Sequence, residues 1–305
     1  MPSQAGTFGF YLEGWRRVWR ERKLLWLFYL PSLLLAYLAA LPLEKALERS
    51  IGHSLMSDRV AERLTFRFLG DLAYEHPGLF PILIALAAAG AAVYVLLVTF
   101  LLAGAVRSLV LPAGRPLSLT LADSVSFFGC YLRLFLLSLP IYGLGAGVAF
   151  LVARGVVALV DLVGAPWSWV LGRALAIALF LAALYWTNLV FDLAKIFAAQ
   201  DNERRALSSL RKAGRFLFAR PRLGQAAGVY LLALGTGVFV TALYNLGAAI
   251  WDRPATAAIL ALVVWQQLFV LARVAVKLLF YGALGCVVSG ERPQWEPVEP
   301  SDLLA

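Results

Sequence analysis

Six stretches of this chain, at about residues 24–43, 80–106, 131–153, 171–199, 225–250 and 257–288, stay predominantly apolar for about twenty residues or more. About 20 such residues in a helix cross a hydrocarbon core roughly 30 Å thick. Lipid offers no partner for backbone N–H and C=O groups, so only helices or a closed barrel can span it. The runs are continuous and do not alternate with the period of two that a barrel strand requires. The sequence therefore predicts an all-α polytopic integral membrane protein of about six transmembrane helices. Composition agrees, with 61% apolar residues, 15% charged residues and a mean hydropathy of +0.79. The first run has 23 residues before it, is long enough to span, and lacks a small-residue cleavage site after it, so it reads as a retained anchor.

Orientation follows from the lysines and arginines. The segments before Leu24, at 107–133, at 192–222 and after Leu271 hold 19 of the 27 basic residues; the three segments of the opposite side hold eight. The positive-inside rule puts both termini in the cytoplasm of a bacterial inner membrane. Segment 44–78 carries five bases on the outer side. They are matched by Glu44, Glu48, Asp58, Glu62, Asp71 and Glu75, and Met56, Val60, Leu64, Phe68 and Leu72 recur every fourth residue. This predicts an extracytoplasmic amphipathic helix. Cys130 and Cys286 fall on the cytoplasmic side, where a disulfide framework is not expected.

Three cytoplasmic stretches, FGFYLEGWRRVWRERK (8–23), LADSVSFFGCYLR (121–133) and RRALSSLRKAGRFLFARPR (204–222), mix apolar and charged residues and each leads into a span. They read as interfacial amphipathic helices. The spans that follow carry Pro31, Pro140 and Gly235 at similar depths. Together these features predict three repeats of one helical-hairpin unit within a single transmembrane domain, 1–288. The remainder, 289–305, is acidic and Pro-rich and reads as a disordered tail.

Charged residues inside or beside spans are the candidate sites. Asn188, Asp192 and Lys195 share one helix face near the inner end of the fourth span, and Gln266, Arg273 and Lys277 share one on the sixth. Asp192, Lys195, Arg273 and Lys277 form either a site for an anionic lipid head group or an interhelical charge pin. In the second case Asp192 pairs with Arg273 or Lys277 while Lys195 snorkels to the interface. Arg16, Arg17, Arg20, Arg211, Lys212 and Arg215 are expected at the leaflet, where each contributes about 1 kcal/mol before screening. The implied partners are membrane lipids, chiefly anionic ones. The basic charge has no nucleic-acid recognition motif beside it, and the membrane accounts for it.

No catalytic residue, metal site or cofactor is assigned. His53 and His76, the only histidines, fall short of the three ligands a zinc or hydrolytic site needs. Ser209 and Lys212 match Ser-x-x-Lys without companion motifs. The glycines of GLGAG at 143–147 lie inside a span, where they allow close helix approach.

The interfacial helix followed by FFGCYLRLFLLSLP, together with FDLAKIFAAQDNERRALSSLRKAGRFLFARP, resembles a group of bacterial six-span membrane proteins. The group includes the membrane domain attached to some glycerophosphodiester phosphodiesterases. The resemblance covers roughly 8–288. It implies the fold and leaves the function open, since the soluble phosphodiesterase domain and its acidic metal ligands have no counterpart here. The expected function is a non-enzymatic membrane protein that binds or organises anionic lipids or supports a membrane assembly. One alternative is a small-molecule or lipid transporter hinged at Pro31, Pro140 and Gly235, with Asn245, Gln266 and Gln267 as midplane polar groups. Another is a membrane enzyme using His76 and Asp71.

Overall fold

A computed structural model describes residues 6–51, 79–111, 114–161, 168–218, 222–250 and 256–290. His53, His76, Asp71, most of segment 44–78 and the tail from 291 lie outside these residues. The described residues form eight helices: α1 Thr7–Arg20, α2 Lys23–Ile51, α3 Leu79–Val110, α4 Leu117–Asp161, α5 Ser168–Gln200, α6 Ala206–Phe218, α7 Arg222–Ile250 and α8 Thr256–Ser289. Six of them, α2 to α5, α7 and α8, are long and apolar enough to cross a membrane. The chain is a multi-pass helical membrane protein, as the apolar runs predict.

The second interfacial stretch departs from expectation. Residues 121–133 are the first part of α4, which continues unbroken for 45 residues, about 68 Å at 1.5 Å per residue. The passage from amphipathic to apolar sequence contains no residue that stops a helix, so the chain does not turn there. The weakeners Pro31, Pro140 and Gly235 likewise sit inside continuous helices, with Pro42 a second proline in α2. Beside Pro31 the Ser32 hydroxyl donates to the Phe28 carbonyl, the kind of side-chain bond that lets a spanning helix carry proline.

The fold separates into two units. One holds residues up to Glu21, Leu102–Gly235 and the residues from Val276; the other holds Arg22–Leu101 and Thr236–Ala275. In the second unit Tyr29 donates to Gln267 Oε1 at 2.9 Å, Trp265 Nε1 donates to the Tyr244 carbonyl at 3.1 Å, and Tyr244 stacks on Phe269. Interhelical hydrogen bonds in membranes average about 0.6 kcal/mol. Tyr29→Phe is therefore expected to lower stability by about that much, read as a small shift in a thermal melt in mild detergent.

In the first unit α4 packs along α5, and α6 packs against both. The end of α3 and the start of α4 interlock: Ser108 and Thr120 hydroxyls bond at 2.9 Å, and Ser124 donates to the Thr120 carbonyl. A Cβ on Gly104 would overlap that carbonyl oxygen and the Ser124 hydroxyl, so only glycine fits. Helix α1 makes a similar approach to α8, where a Cβ on Gly14 would meet Ala283 and the Leu279 carbonyl oxygen at 2.7 Å. Cys130 and Cys286 are both buried, and neither is in a disulfide.

Candidate charged sites at the ends of the spans

Helix α5 has 33 residues, more than one span requires. About 20 residues counted from Trp169 end near Asn188, which puts Asp192 and Lys195 at the edge of the hydrocarbon. Their i, i+3 spacing makes them neighbours on the helix. Lys195 Nζ donates to Asp192 Oδ1 at 2.7 Å, and the same oxygen accepts the Tyr281 hydroxyl of α8, also at 2.7 Å. The two charged side chains are 14% and 20% exposed. Around them Tyr131 of α4 donates to the Lys195 carbonyl at 2.8 Å, Tyr142 bonds Asn188, and Tyr185 donates to the Ala227 carbonyl of α7 at 2.9 Å. A chain of ring contacts, Tyr185 to Tyr230, Tyr230 to Phe280 and Phe280 to Tyr281, completes a tyrosine-lined polar cluster of four helices.

This differs from the pin expected from sequence. Lys195 does not snorkel away; it is the ion partner of Asp192, because the nearest cation on the same helix needs no second element to bring it there. From α8 the Tyr281 hydroxyl joins the pair, one turn beyond Lys277 on the same face. Lys277 is exposed in the first unit. Arg273 belongs to the second unit, where it is exposed with its guanidinium over the Phe269 ring at 5.6 Å.

A second charged cluster has no counterpart in the sequence reading. Asp123 of α4 lies between Arg107 of α3 at 3.3 Å and Arg115 of the connecting turn at 2.9 Å. Arg107 also donates to Asn202 Oδ1 at 2.7 Å and lies over the Phe127 ring. Asn202 has φ of +53° and terminates α5, with the Glu203 amide reaching back to the Ala198 carbonyl. Asparagine tolerates this left-handed position better than most residues.

The two amphipathic helices are each two-faced. Helix α1 buries Phe10, Glu13, Gly14 and Val18 and exposes Phe8, Leu12, Trp15 and Trp19, with Arg16 and Arg20 beside them. Arg17 turns inward, where its Nη1 donates to the Leu109 carbonyl at 2.9 Å and its Nε lies 3.9 Å from buried Glu13. It therefore holds α1 to the end of α3. Glu21, also buried, accepts the Gly114 amide at 2.7 Å. Helix α6 buries Ala206, Ser209, Ala213 and Leu217 and exposes Leu207, Arg211, Arg215 and Phe218. Lys212 donates to Asp201 at 2.6 Å, a hydrogen bond that raises the lysine above its ordinary pKa.

No family model, curated protein or solved structure matches the chain. What the fold and the charged sites define is a class: a multi-pass helical membrane protein with two docked amphipathic helices and basic residues clustered at span ends.

Proposed function

We propose that this is a non-enzymatic protein of the bacterial inner membrane, with both termini cytoplasmic, whose basic end binds and organises anionic lipid. It would be one of the six-span bacterial proteins that its sequence resembles. The observation that carries the reading is the two-faced packing of α1 and α6. Each helix presses small and apolar residues onto the protein and turns leucines, aromatics and arginines outward. An aromatic or leucine stripe beside arginines suits the boundary between acyl chains and anionic head groups. The 19-to-8 distribution of basic residues supports the cytoplasmic placement of that end.

The test is the lipid that accompanies the protein in polymer-excised native membrane. Replacing Arg16, Arg20, Arg211 and Arg215 with glutamine together is expected to lower the enrichment of anionic over zwitterionic phospholipid at least threefold, with the helical content unchanged. Equal enrichment in wild type and variant would remove the reading. Transport rests on fewer observations: Asn245 bonds the Thr241 carbonyl of its own helix, and Gln267 accepts from Tyr29.

A further inference from the structure

A groove of about 520 Å³ runs between α4 and α6, lined by Arg133, Leu136 and Leu137 of α4 and by Arg205, Ala206 and Leu207. Its two ends differ in chemistry. Arg133 is followed by 20 residues without a charge before Arg154, one span's length, so it stands at head-group level. Leu136 and Leu137 lie one turn into the apolar run. Arg205 directly precedes α6, and Ala206 and Leu207 form its first turn, where the positive end of the helix dipole adds to the two guanidiniums. The nearby acids are engaged: Glu203 accepts from the Arg205 amide and the Ser208 hydroxyl, and Asp201 holds Lys212. A second cleft, of about 430 Å³, shares Arg205 and Leu207 with the groove and adds Arg211 and Arg215.

We propose that this groove seats one anionic phospholipid, its phosphate held by Arg133 and Arg205 and an acyl chain lying along Leu136, Leu137 and Leu207. The proposal rests on the lipid reading above and goes beyond it, from a collectively basic surface to a site of defined stoichiometry. Arginine forks match phosphate oxygens in pairs. The leucine floor selects a lipid over a free phosphate, which would leave that floor in contact with water.

The experiment is native mass spectrometry of the full chain in mild detergent, titrated separately with phosphatidylglycerol, phosphatidylcholine and inorganic phosphate. One phosphatidylglycerol per chain is expected, bound at least tenfold tighter than phosphatidylcholine. Arg133→Gln with Arg205→Gln is expected to weaken it at least fivefold, while Arg154→Gln, an exposed arginine at the other end of the same uncharged run, changes it less than twofold. Both groove arginines are exposed, so the variant is expected to keep its fold. Leu137→Trp, which fills the floor and leaves every charge in place, is expected to cause a similar loss and provides the test if the double variant does not fold. Wild-type affinity in both groove variants, or equal retention of phosphatidylcholine, overturns the proposal. So does displacement of the lipid by equimolar inorganic phosphate. If the groove variants bind normally but the four-arginine variant still loses anionic enrichment, the groove is wrong and the surface reading stands. If neither changes, both fail.

Discussion

Asp192→Ala is expected to lower the stability of the protein by about 2–3 kcal/mol, at or just below the low end of what breaking a fully buried ion pair costs, because this pair is part-buried. Its side chain accepts two bonds at once, from Lys195 and from Tyr281, and joins α5 to α8 through them. Removing the carboxylate leaves an ammonium group at the hydrocarbon edge without its counter-charge and a hydroxyl without its acceptor. Most of the loss comes from the stranded cation, so Asp192→Ala combined with Lys195→Met is expected to recover more than half of it. Tyr281→Phe removes one bond to a charged group and is expected to cost about 1.5 kcal/mol. Thermal melts of these three variants and of Lys195→Met alone, in one detergent, measure these terms. Additive losses in the double variant would mean that the two charges are not coupled.

The second large effect is a contrast between two glycines. Gly104→Ala is expected to destabilise the protein by about 2–3 kcal/mol, although alanine favours a helix over glycine by about 1 kcal/mol. The obstacle is the Thr120 carbonyl, part of the α4 backbone, which cannot rotate aside as a side chain would. Gly129, in the middle of the same α4, is exposed, and a Cβ there meets nothing within 4 Å. Gly129→Ala is accordingly expected to stabilise by up to about 1 kcal/mol. Opposite signs in two melting curves are the expected result. A neutral Gly104→Ala would mean that α3 and α4 can separate at that end without loss.

The spans were legible because a membrane imposes a length and a polarity that composition alone reveals, and each of the six apolar runs lies largely within one long helix. Helices α1 and α6 were legible for a related reason, since a two-faced helix leaves a periodic trace. That trace does not say whether the chain bends before the next span, and 121–133 has the pattern of a separate helix although it is the start of α4. Nor does it say which arginines of a basic stripe turn inward, as Arg17 does. The Asp192–Lys195 pair was visible at i, i+3. Tyr281 was not singled out, because a tyrosine in an apolar run reads as interface or core, although its i+4 relation to Lys277 was available. Arg107, Arg115 and Asp123 were missed for a deeper reason. The turn between α3 and α4 brings them together, and their separate positions carry no shared period.

The two buried thiols have a practical consequence. Cys130 is 4% exposed and Cys286 is fully enclosed, each packed among the helices of the first unit. A bulky maleimide offered to the folded protein has little to react with at either place. Cysteines introduced one at a time at Arg16, Arg133, Arg211 or Arg273 can therefore be labelled against the unaltered chain. Their reactivity towards membrane-impermeant reagents, added from either side of sealed vesicles, would read the topology directly without first building a cysteine-free parent.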